Sequence, residues 1–370
     1  MNEYLHIVCL DAPSPADYGG AIDMYYKIAA IASTGRRIIL HYFQYSDNRN
    51  VHGLEKYCSE INAYERKPFL KSPSTLPYIV RSRINKELIA RLNKDDHPVI
   101  VEGIHCSGII PYLDKTKRVV IRMHNDEAAY YEKLASVENN FIRRSYYQLE
   151  SVLLKKYYGR INKNIILACL SETDLNVMKQ AYGFNNVAFI PSFIPWQTIR
   201  SKEGKGGYCL YHGNLSVSEN EAAAFWLIQD VFSRTGVNFV IAGKQIPKQL
   251  QASARMYNNI KFVNNPSDGE LTQLIQDAQI NVLPSLNSTG VKFKLLHALF
   301  EGRFCISNLN GIQGSQINPG VHLAETATEY ITKIGELFEK QFSTADKKNR
   351  QHLLTEYDNL KNAERLSALL

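Results

Sequence analysis

Short runs of apolar, β-branched residues alternate with longer amphipathic stretches, and this alternation limits the fold more than any other feature of the sequence. The apolar runs are continuous, which is typical of strands covered on both faces. Repetition of strand, helix and strand predicts a parallel, doubly wound sheet with right-handed crossovers. In the first half we predict strands at 4–10, 36–43, 98–104, 118–124, 165–170 and 187–190, and helices at 20–34, 78–93, 138–159 and 172–182.

The alternation breaks at residues 191–207, where two prolines precede a charged, glycine-rich stretch that is typical of a linker between domains. It then resumes, and two helix starts, at 218–221 and 267–270, carry the capping-box pattern of Ser followed three residues later by Glu. The polar tail, 328–370, is predicted to be helical and to pack across a domain surface. We therefore expect two α/β domains, the second with strands at 208–213, 237–243, 260–263, 280–284 and 304–307.

Composition and charge exclude several classes of protein. Of the 370 residues, 45% are hydrophobic and 21% are charged, which excludes a disordered or fibrous chain. No apolar run approaches the ~20 residues of a membrane-spanning helix. The 43 Lys and Arg exceed the 36 Asp and Glu by 7. So small a surplus suits anionic substrates or a membrane surface, and we expect no nucleic-acid partner.

The cysteines and the start of the chain indicate the compartment. None of the six cysteines is spaced as Cys-x-x-Cys, and most lie in strand-like apolar runs, as buried free thiols do. We therefore expect reduced cysteines, without a zinc site or a disulfide framework. The sequence begins MNEYLHIVCLDAPSP, without the basic leader of a secretory signal, so we expect a cytoplasmic protein.

In open parallel sheets, ligands bind beyond the carboxyl ends of the strands, so polar loops after strands are candidate site loops. After the first strand, Gly19 and Gly20 precede a helix whose bare amides suit a phosphate, although such a pair is often only a turn. Later, His124 is a candidate general acid/base or sugar contact, and the alternative is a histidine bonded within its turn. Asn125 and Glu127 make that loop polar enough to bind a ligand.

The second half offers two further loops. Gly213 follows a strand and precedes a helix, a turn that accepts phosphate, although the acidic residues at 219 and 221 suit the helix without a ligand. The richer loop, 284–302, presents Ser, Thr and Gly ahead of a helix with Lys292 and Lys294. Lys292 is expected in the first turn, where a cation is unfavourable unless an anion binds. The alternative is an ordinary exposed lysine, but two lysines here favour an anion site.

Motifs for other chemistry are missing from the sequence. It contains no GxGxxG, P-loop, HExxH, GxSxG or DxD. A cofactor-dependent epimerase or dehydrogenase is therefore disfavoured, and we expect neither a cofactor nor a metal.

In these residues the sequence resembles the GT-B glycosyltransferases, in the group 1 or family 4-like set of retaining nucleotide-sugar transferases that build bacterial polysaccharides. The resemblance covers nearly the whole chain. It rests on GG (19–20), RMHN with Glu127, LSETD (170–174), HGNLSVSEN with the following FW (225–226), FVIAG (239–243) and STGVKFKLLHALFEG followed by GIQG (311–314).

The resemblance implies two Rossmann-like domains that face each other across a cleft. Residues 1–195 would form the acceptor-side domain and 196–345 the domain that binds the nucleotide sugar. Residues 346–370 would form a helix that returns to the first domain.

The resemblance also implies roles for individual residues. His124 would contact the transferred sugar, and with Lys294 it forms the expected catalytic pair. Gly19 and Gly20 would lie near the donor phosphate or the acceptor, with Asn125 and Glu127 on the acceptor side. The expected donor-binding residues are Gly213, Asn214, Lys244, Ser288, Thr289, Gly290, Val291, Lys292, Lys294 and His297.

Two departures from the family pattern bear on donor identity and activity. Many relatives carry a basic pair where this chain has Asn214 and Glu219. Many also carry two glutamates, eight residues apart, where it has Thr289 and His297. The second glutamate usually holds the nucleotide ribose, and His297 can still donate or accept a hydrogen bond there.

We therefore expect a retaining, metal-independent, hexosyltransferase-type glycosyltransferase. It would move a sugar from a nucleoside-diphosphate sugar to a glycan or lipid-linked acceptor in surface polysaccharide synthesis. The missing carboxylates motivate an alternative, a catalytically inactive GT-B protein that binds nucleotide or glycan or scaffolds a partner. The sequence leaves the sugar, the base, the acceptor, the linkage and the oligomeric state open.

A basic, tyrosine-rich stretch at 141–163 suits the surface of an anionic bilayer. The alternative is that its apolar residues face the core and its lysines are merely solvated. The first interpretation predicts peripheral contact with the inner face of the membrane. The basic residues concerned are Arg143, Arg144, Lys155, Lys156, Arg160 and Lys163.

Overall fold

The computed structural model describes residues 3–44, 49–68, 75–138, 140–315 and 317–370. The chain divides into two compact units. The first comprises the described residues of Met1–Pro195 together with Thr289–Val291 and Tyr357–Leu370, and the second comprises Trp196–Ser288 and Lys292–Glu356. No helix of the described residues is both long enough and apolar enough to cross a membrane.

A seven-stranded parallel sheet forms the centre of the first unit, in the order β3-β2-β1-β4-β5-β6-β7. Alternate residues of one strand enter different cores: Val99 and Val101 pack on one face of the sheet and Ile100 on the other. This two-sided burial explains the continuous apolar runs. The strands are β1 (Tyr4–Cys9), β2 (Arg37–Gln44), β3 (Cys58–Glu65), β4 (Val99–Glu102), β5 (Val119–Met123), β6 (Ile166–Cys169) and β7 (Asn186–Phe189).

Three predictions for this unit were incomplete. Strand β3 was missed because it is an edge strand whose mostly half-exposed residues include polar side chains. The predicted helix 78–93 is broken, since Asn85 caps a new helix by accepting amide hydrogen bonds at its start. The loop after β5 turns almost at once into a helix, capped by Asp126. The helices are α1 (Gly19–Ser33), α2 (Tyr78–Arg81), α3 (Lys86–Leu92), α4 (Glu127–Val137), α5 (Phe141–Arg160) and α6 (Glu172–Gln180).

The second unit holds a six-stranded parallel sheet in the order β10-β9-β8-β11-β12-β13. The five predicted strands are confirmed, and β13 was missed because it has only two residues. The strands are β8 (Cys209–Asn214), β9 (Phe239–Lys244), β10 (Ile260–Asn264), β11 (Ile280–Val282), β12 (Phe304–Ser307) and β13 (His322–Leu323).

One of the two predicted capping boxes in the second unit is confirmed. Ser267 and Glu270 exchange the expected bonds, but the helix at 218 has Val217 as its N-cap residue, without a side-chain cap. The helices are α7 (Ser218–Trp226), α8 (Lys248–Ser253), α9 (Asp268–Asp277), α10 (Phe293–Glu301), α11 (Leu309–Ile312), α12 (Ala327–Phe338), α13 (Thr344–Lys348) and α14 (His352–Glu356). A last helix, α15 (Asn359–Ser367), packs against α1 of the first unit, where its Ala363 and Leu366 are buried.

Candidate functional site

Five ionisable side chains from three parts of the first unit converge at the carboxyl end of its sheet. Asp23 and Lys27 lie one turn apart on α1, Glu102 ends β4, Arg122 lies in β5 and His124 follows it. The Lys27 ammonium lies 2.7 Å from a Glu102 oxygen and 3.0 Å from an Asp23 oxygen. Arg122 lies 2.9 Å from the other Asp23 oxygen, and His124 Nε2 lies 2.8 Å from Glu102.

These charges compensate one another in the interior. Burial alone would raise the pKa of both carboxyl groups. Arg122 and Lys27 nevertheless hold the pKa of Asp23 well below its ordinary value, and Lys27 with His124 keeps the pKa of Glu102 below its own. Both carboxylates are therefore ionised, and the network consists of two anions balanced by two cations.

The network fixes the orientation of His124. An ionised Glu102 only accepts hydrogen bonds, so Nε2 of His124 donates to it. The opposite nitrogen, Nδ1, lies beside Gly20, where an added Cβ would come within 3.4 Å of it. The structure thus brings together two of the predicted residues, His124 and Gly20. Gly19 and Gly20 are the first two residues of α1, whose amides have no partner within the helix.

Asp23, Glu102 and His124 place one ligand atom each within 4.8 Å of one another, as a metal site would. However, both carboxylates already carry Lys27 or Arg122 at hydrogen-bond distance. A metal cation would have to enter beside these two cations, so the donor set fits an ion-pair network better than a metal.

Two further predicted residues, Asn125 and Glu127, lie at the start of α4. Asn125 Nδ2 donates to Glu127 Oε1 at 3.4 Å. The Glu127 carboxyl is buried, and the loss of hydration raises its pKa to about 7. A carboxyl with such a pKa exchanges a proton near neutral pH.

Lys294 is the central cation of the second unit. It lies in the first turn of α10, whereas Lys292 is the N-cap residue of that helix and not part of the first turn as predicted, because the helix begins later. The Nζ atom of Lys294 donates to Asn220 Oδ1 at 3.1 Å and lies 5.0 Å from the centre of the Tyr211 ring. Loss of hydration lowers the pKa of Lys294 to about 8, although Glu219 opposes the shift.

His297 lies one turn further along α10, in an aromatic environment. Its ring stacks on Trp196 with centroids 4.5 Å apart and meets the edge of His212 at 6.1 Å. Nε2 lies 3.4 Å from Thr272 Oγ1. Loss of hydration lowers the pKa of His297 to about 4 and that of the buried His212 well below its ordinary range. Both rings are therefore neutral at physiological pH.

Gly213 lies within β8 and not in the turn as predicted, opposite Gly243 of β9. A Cβ on Gly243 would lie 2.0 Å from the Gly213 carbonyl oxygen, so the two backbones are too close for a side chain. Asn214 closes the following turn by accepting bonds from the amide and hydroxyl of Ser216. Lys244 ends β9 opposite Asn214 and is exposed.

The loop between β11 and α10 holds the other predicted donor residues. Gly290 has a φ of +68°, a left-handed conformation that favours glycine. Ser288 belongs to the second unit, whereas Thr289–Val291 belong to the first. The hydroxyl oxygen of Ser285, which precedes them, lies 2.8 Å from the Asn287 carbonyl oxygen and 3.1 Å from Glu219, and its one hydrogen can be donated to either.

Sequence reasoning missed several residues of the charge network in the first unit and of the surroundings of α10 in the second. Glu102 ends an otherwise apolar strand, VIVE, and Lys27 lies among the apolar residues of α1. A charge in a buried apolar run is a recognisable signal, because it requires a partner of opposite charge. His212, Asn220 and Trp196 gave no comparable signal, since only the fold brings them beside α10.

Comparisons with known proteins agree with this architecture. Residues 206–340 match the family described as Glycosyl transferases group 1. An uncharacterized 44.6 kDa protein in the cps region of Klebsiella pneumoniae is 28% identical over 345 residues, which cover 88% of each chain.

Solved structures share the fold at low sequence identity. TarM from S. aureus superposes with a TM-score of 0.70 at 10% identity, over 100% of this chain and 99% of the other. Anabaena HepE, solved in complex with UDP and glucose, has a TM-score of 0.64 at 11% identity, over 98% of each chain. From its two parallel sheets and these matches, the chain has the GT-B fold, and its residues 206–340 match the Glycosyl transferases group 1.

Proposed function

We propose that this protein transfers a hexose from a nucleoside-diphosphate sugar to a hydroxyl group of a glycan or lipid-linked acceptor. We further propose that it retains the anomeric configuration and needs no metal. The match of residues 206–340 to the group 1 glycosyltransferases supports transfer from a nucleotide sugar. The similar protein in the cps region of Klebsiella pneumoniae supports a role in surface polysaccharide synthesis.

The observation that carries the proposal is the environment of Lys294. Its ammonium group is partly dehydrated, stands in the first turn of a helix and bonds to a neutral amide, Asn220. A cation in that place is disfavoured by both dehydration and the helix dipole. A bound diphosphate would compensate for both penalties, so the environment of Lys294 suits an anion-binding site.

The same cation suits the chemistry of sugar transfer. As the bond between the anomeric carbon and the diphosphate oxygen breaks, negative charge builds on the departing diphosphate. A fixed ammonium and backbone amides stabilise that charge without a metal. We assign this role to Lys294, aided by the amide of Gly290.

His124 is the proposed sugar contact on the first unit. Glu102 holds Nε2, so the orientation of the ring and the direction of Nδ1 are fixed before substrate binds. Such preorganisation is what a group that orients a reacting sugar needs. Glu127, with its pKa near neutrality, and Asn125 are the proposed acceptor-side residues.

Nucleotide released from a panel of UDP-, GDP- and ADP-sugars, with and without a glycan acceptor, tests the proposal. UDP-glucose is the first donor to try, because the similar protein HepE was solved with UDP and glucose. We expect release that requires Lys294, persists with EDTA and gives a product whose anomeric configuration, read by NMR, matches the donor.

A matched pair of variants separates the outcomes. Lys294→Met should abolish release, and Lys292→Met should reduce it much less. If the protein binds nucleotides but releases none from any donor, the inactive nucleotide-binding alternative is correct and the transferase proposal is wrong.

A further inference from the structure

The outer face of α5 carries apolar side chains that the proposed reaction does not use. Phe141 and Ile142 are 80% and 78% exposed, and Leu149 and Val152 are about half exposed. Because successive helical residues are about 100° apart, Ile142, Leu149 and Val152 share one side of α5, away from the buried Leu154. The helix therefore presents an apolar stripe to solvent.

The exposed charges that α5 itself carries are all positive. The only acidic residue of α5, Glu150, is buried, and its carboxylate accepts hydrogen bonds from the amides of Tyr78 and Ile79. The basic residues of the helix are all exposed: Arg143, Arg144, Lys155, Lys156 and Arg160.

The apolar residues at the start of α5 follow a capped helix end. The side chain of Asn140 caps α5 by accepting hydrogen bonds from the amides of Ile142 and Arg143, each at 3.1 Å. Helix α5 begins only four positions after α4 ends and packs along it, so Phe141 and Ile142 stand at one end of a helix pair. A cavity of about 300 Å³ lies between the two helices, and Arg144 and Lys155 line it together with Glu132 of α4, which pairs with Lys155 at 2.6 Å.

We propose that this face of α5 docks on an anionic bilayer. Phe141 and Ile142 would enter the boundary between headgroups and acyl chains, with Leu149 and Val152 beside them. The exposed arginines and lysines of α5 would lie among anionic headgroups.

Charge complementarity favours a bilayer over a second copy of this chain. In a two-fold contact through this face, the basic residues of one copy would meet those of the other. An anionic lipid surface neutralises them and also covers the apolar stripe.

Co-sedimentation of the whole protein with vesicles tests this docking. The vesicles are phosphatidylcholine alone or an equimolar mixture with phosphatidylglycerol, at about 0.05 M and about 0.5 M salt, because higher salt shortens the reach of surface charges. We expect binding to the anionic vesicles at low salt, weaker binding at high salt and little binding to neutral vesicles.

The chain offers a matched control for the face itself. Ile142→Ser/Arg143→Gln removes one 78% exposed apolar side chain and one exposed cation, and Met256→Ser/Arg255→Gln removes the same pair elsewhere. One basic residue near an anionic surface strengthens binding about fivefold, so with the lost apolar contact the first variant should bind at least about tenfold more weakly. The second should bind like the wild type.

Three results would overturn the proposal. They are equal binding to neutral and anionic vesicles, equal losses in the two double variants, and no vesicle binding together with a dimer that Ile142→Ser/Arg143→Gln dissociates. The last would identify the face as a contact between copies of the chain.

Discussion

The affinity for a nucleoside diphosphate should fall as pH rises, through the titration of Lys294. A lysine with a lowered pKa is cationic below that pKa and neutral above it. With a pKa of about 8, Lys294 attracts a diphosphate near pH 7 and loses that attraction toward pH 9. The second pKa of a terminal phosphate is about 6, so the ligand keeps its full charge over this range.

The magnitude follows from the protonated fraction. About ten in eleven Lys294 side chains are protonated one unit below the pKa, and about one in eleven one unit above it. If only the protonated form binds the diphosphate tightly, the dissociation constant rises about tenfold from pH 7 to pH 9. A hydrogen bond to a charged group contributes about 1.5–3 kcal/mol, so Lys294→Met should weaken binding at pH 7 by about tenfold or more.

Titration calorimetry with UDP and with GDP, at several pH values, measures both effects. Lys294→Met should bind weakly and show no pH dependence over this range, whereas Lys292→Met should keep the wild-type slope. His297 and His212 do not interfere, because their pKa values lie far below the range. The reasoning is refuted if Lys294→Met binds like the wild type, or if its affinity still falls with the wild-type slope.

Three further predictions test other parts of the molecule. His124→Ala should lower turnover strongly and leave nucleotide affinity nearly unchanged in calorimetry; a parallel loss of affinity and melting temperature would make His124 structural. Gly243→Ala should destabilise the second unit by about 2 kcal/mol or more in urea unfolding, because its Cβ would overlap the Gly213 carbonyl, whereas Gly236→Ala, with open space around it, should not. Burial lowers the pKa of His41 to about 3 in the folded protein. As pH falls, His41 is therefore protonated in the unfolded chain before it is protonated in the folded protein, and about 2 kcal/mol of the free energy of unfolding should be lost between about pH 7 and pH 5. A urea midpoint that stays constant over that range would contradict the last prediction.

Periodicity predicted most of the fold because burial on both faces of a sheet leaves a continuous apolar run in the sequence. The central strands β1, β4 and β5 show that signal, and they were predicted within one or two residues at each end. Strand β3 escaped because an edge strand needs little apolar character on its outer side. Helix α4 escaped because the polar residues at its start were interpreted as a binding loop.

The candidate site was less predictable, since its energetics depend on partners distant in sequence. Glu102 and Lys27 are 75 residues apart and form a pair only because β4 lies beside the strand that precedes α1. Asn220 and Lys294 are 74 residues apart and meet through neighbouring strands of the second sheet. The sequence identified His124 and Lys294 as chemical groups, but not the neighbours that set their orientation and charge.

The neighbours of His297 bear directly on the missing family glutamate. A glutamate at this place would contribute a negative charge and two acceptor oxygens to a ribose. His297, stacked on Trp196 and with a pKa near 4, is a neutral ring that offers one donor and one acceptor. The substitution therefore keeps the capacity to bond a hydroxyl group but removes an anion from the helix that holds Lys294. Without that carboxylate, the helix holds one anion fewer to repel a diphosphate near Lys294, so the departure from the family pattern is compatible with a functional donor site.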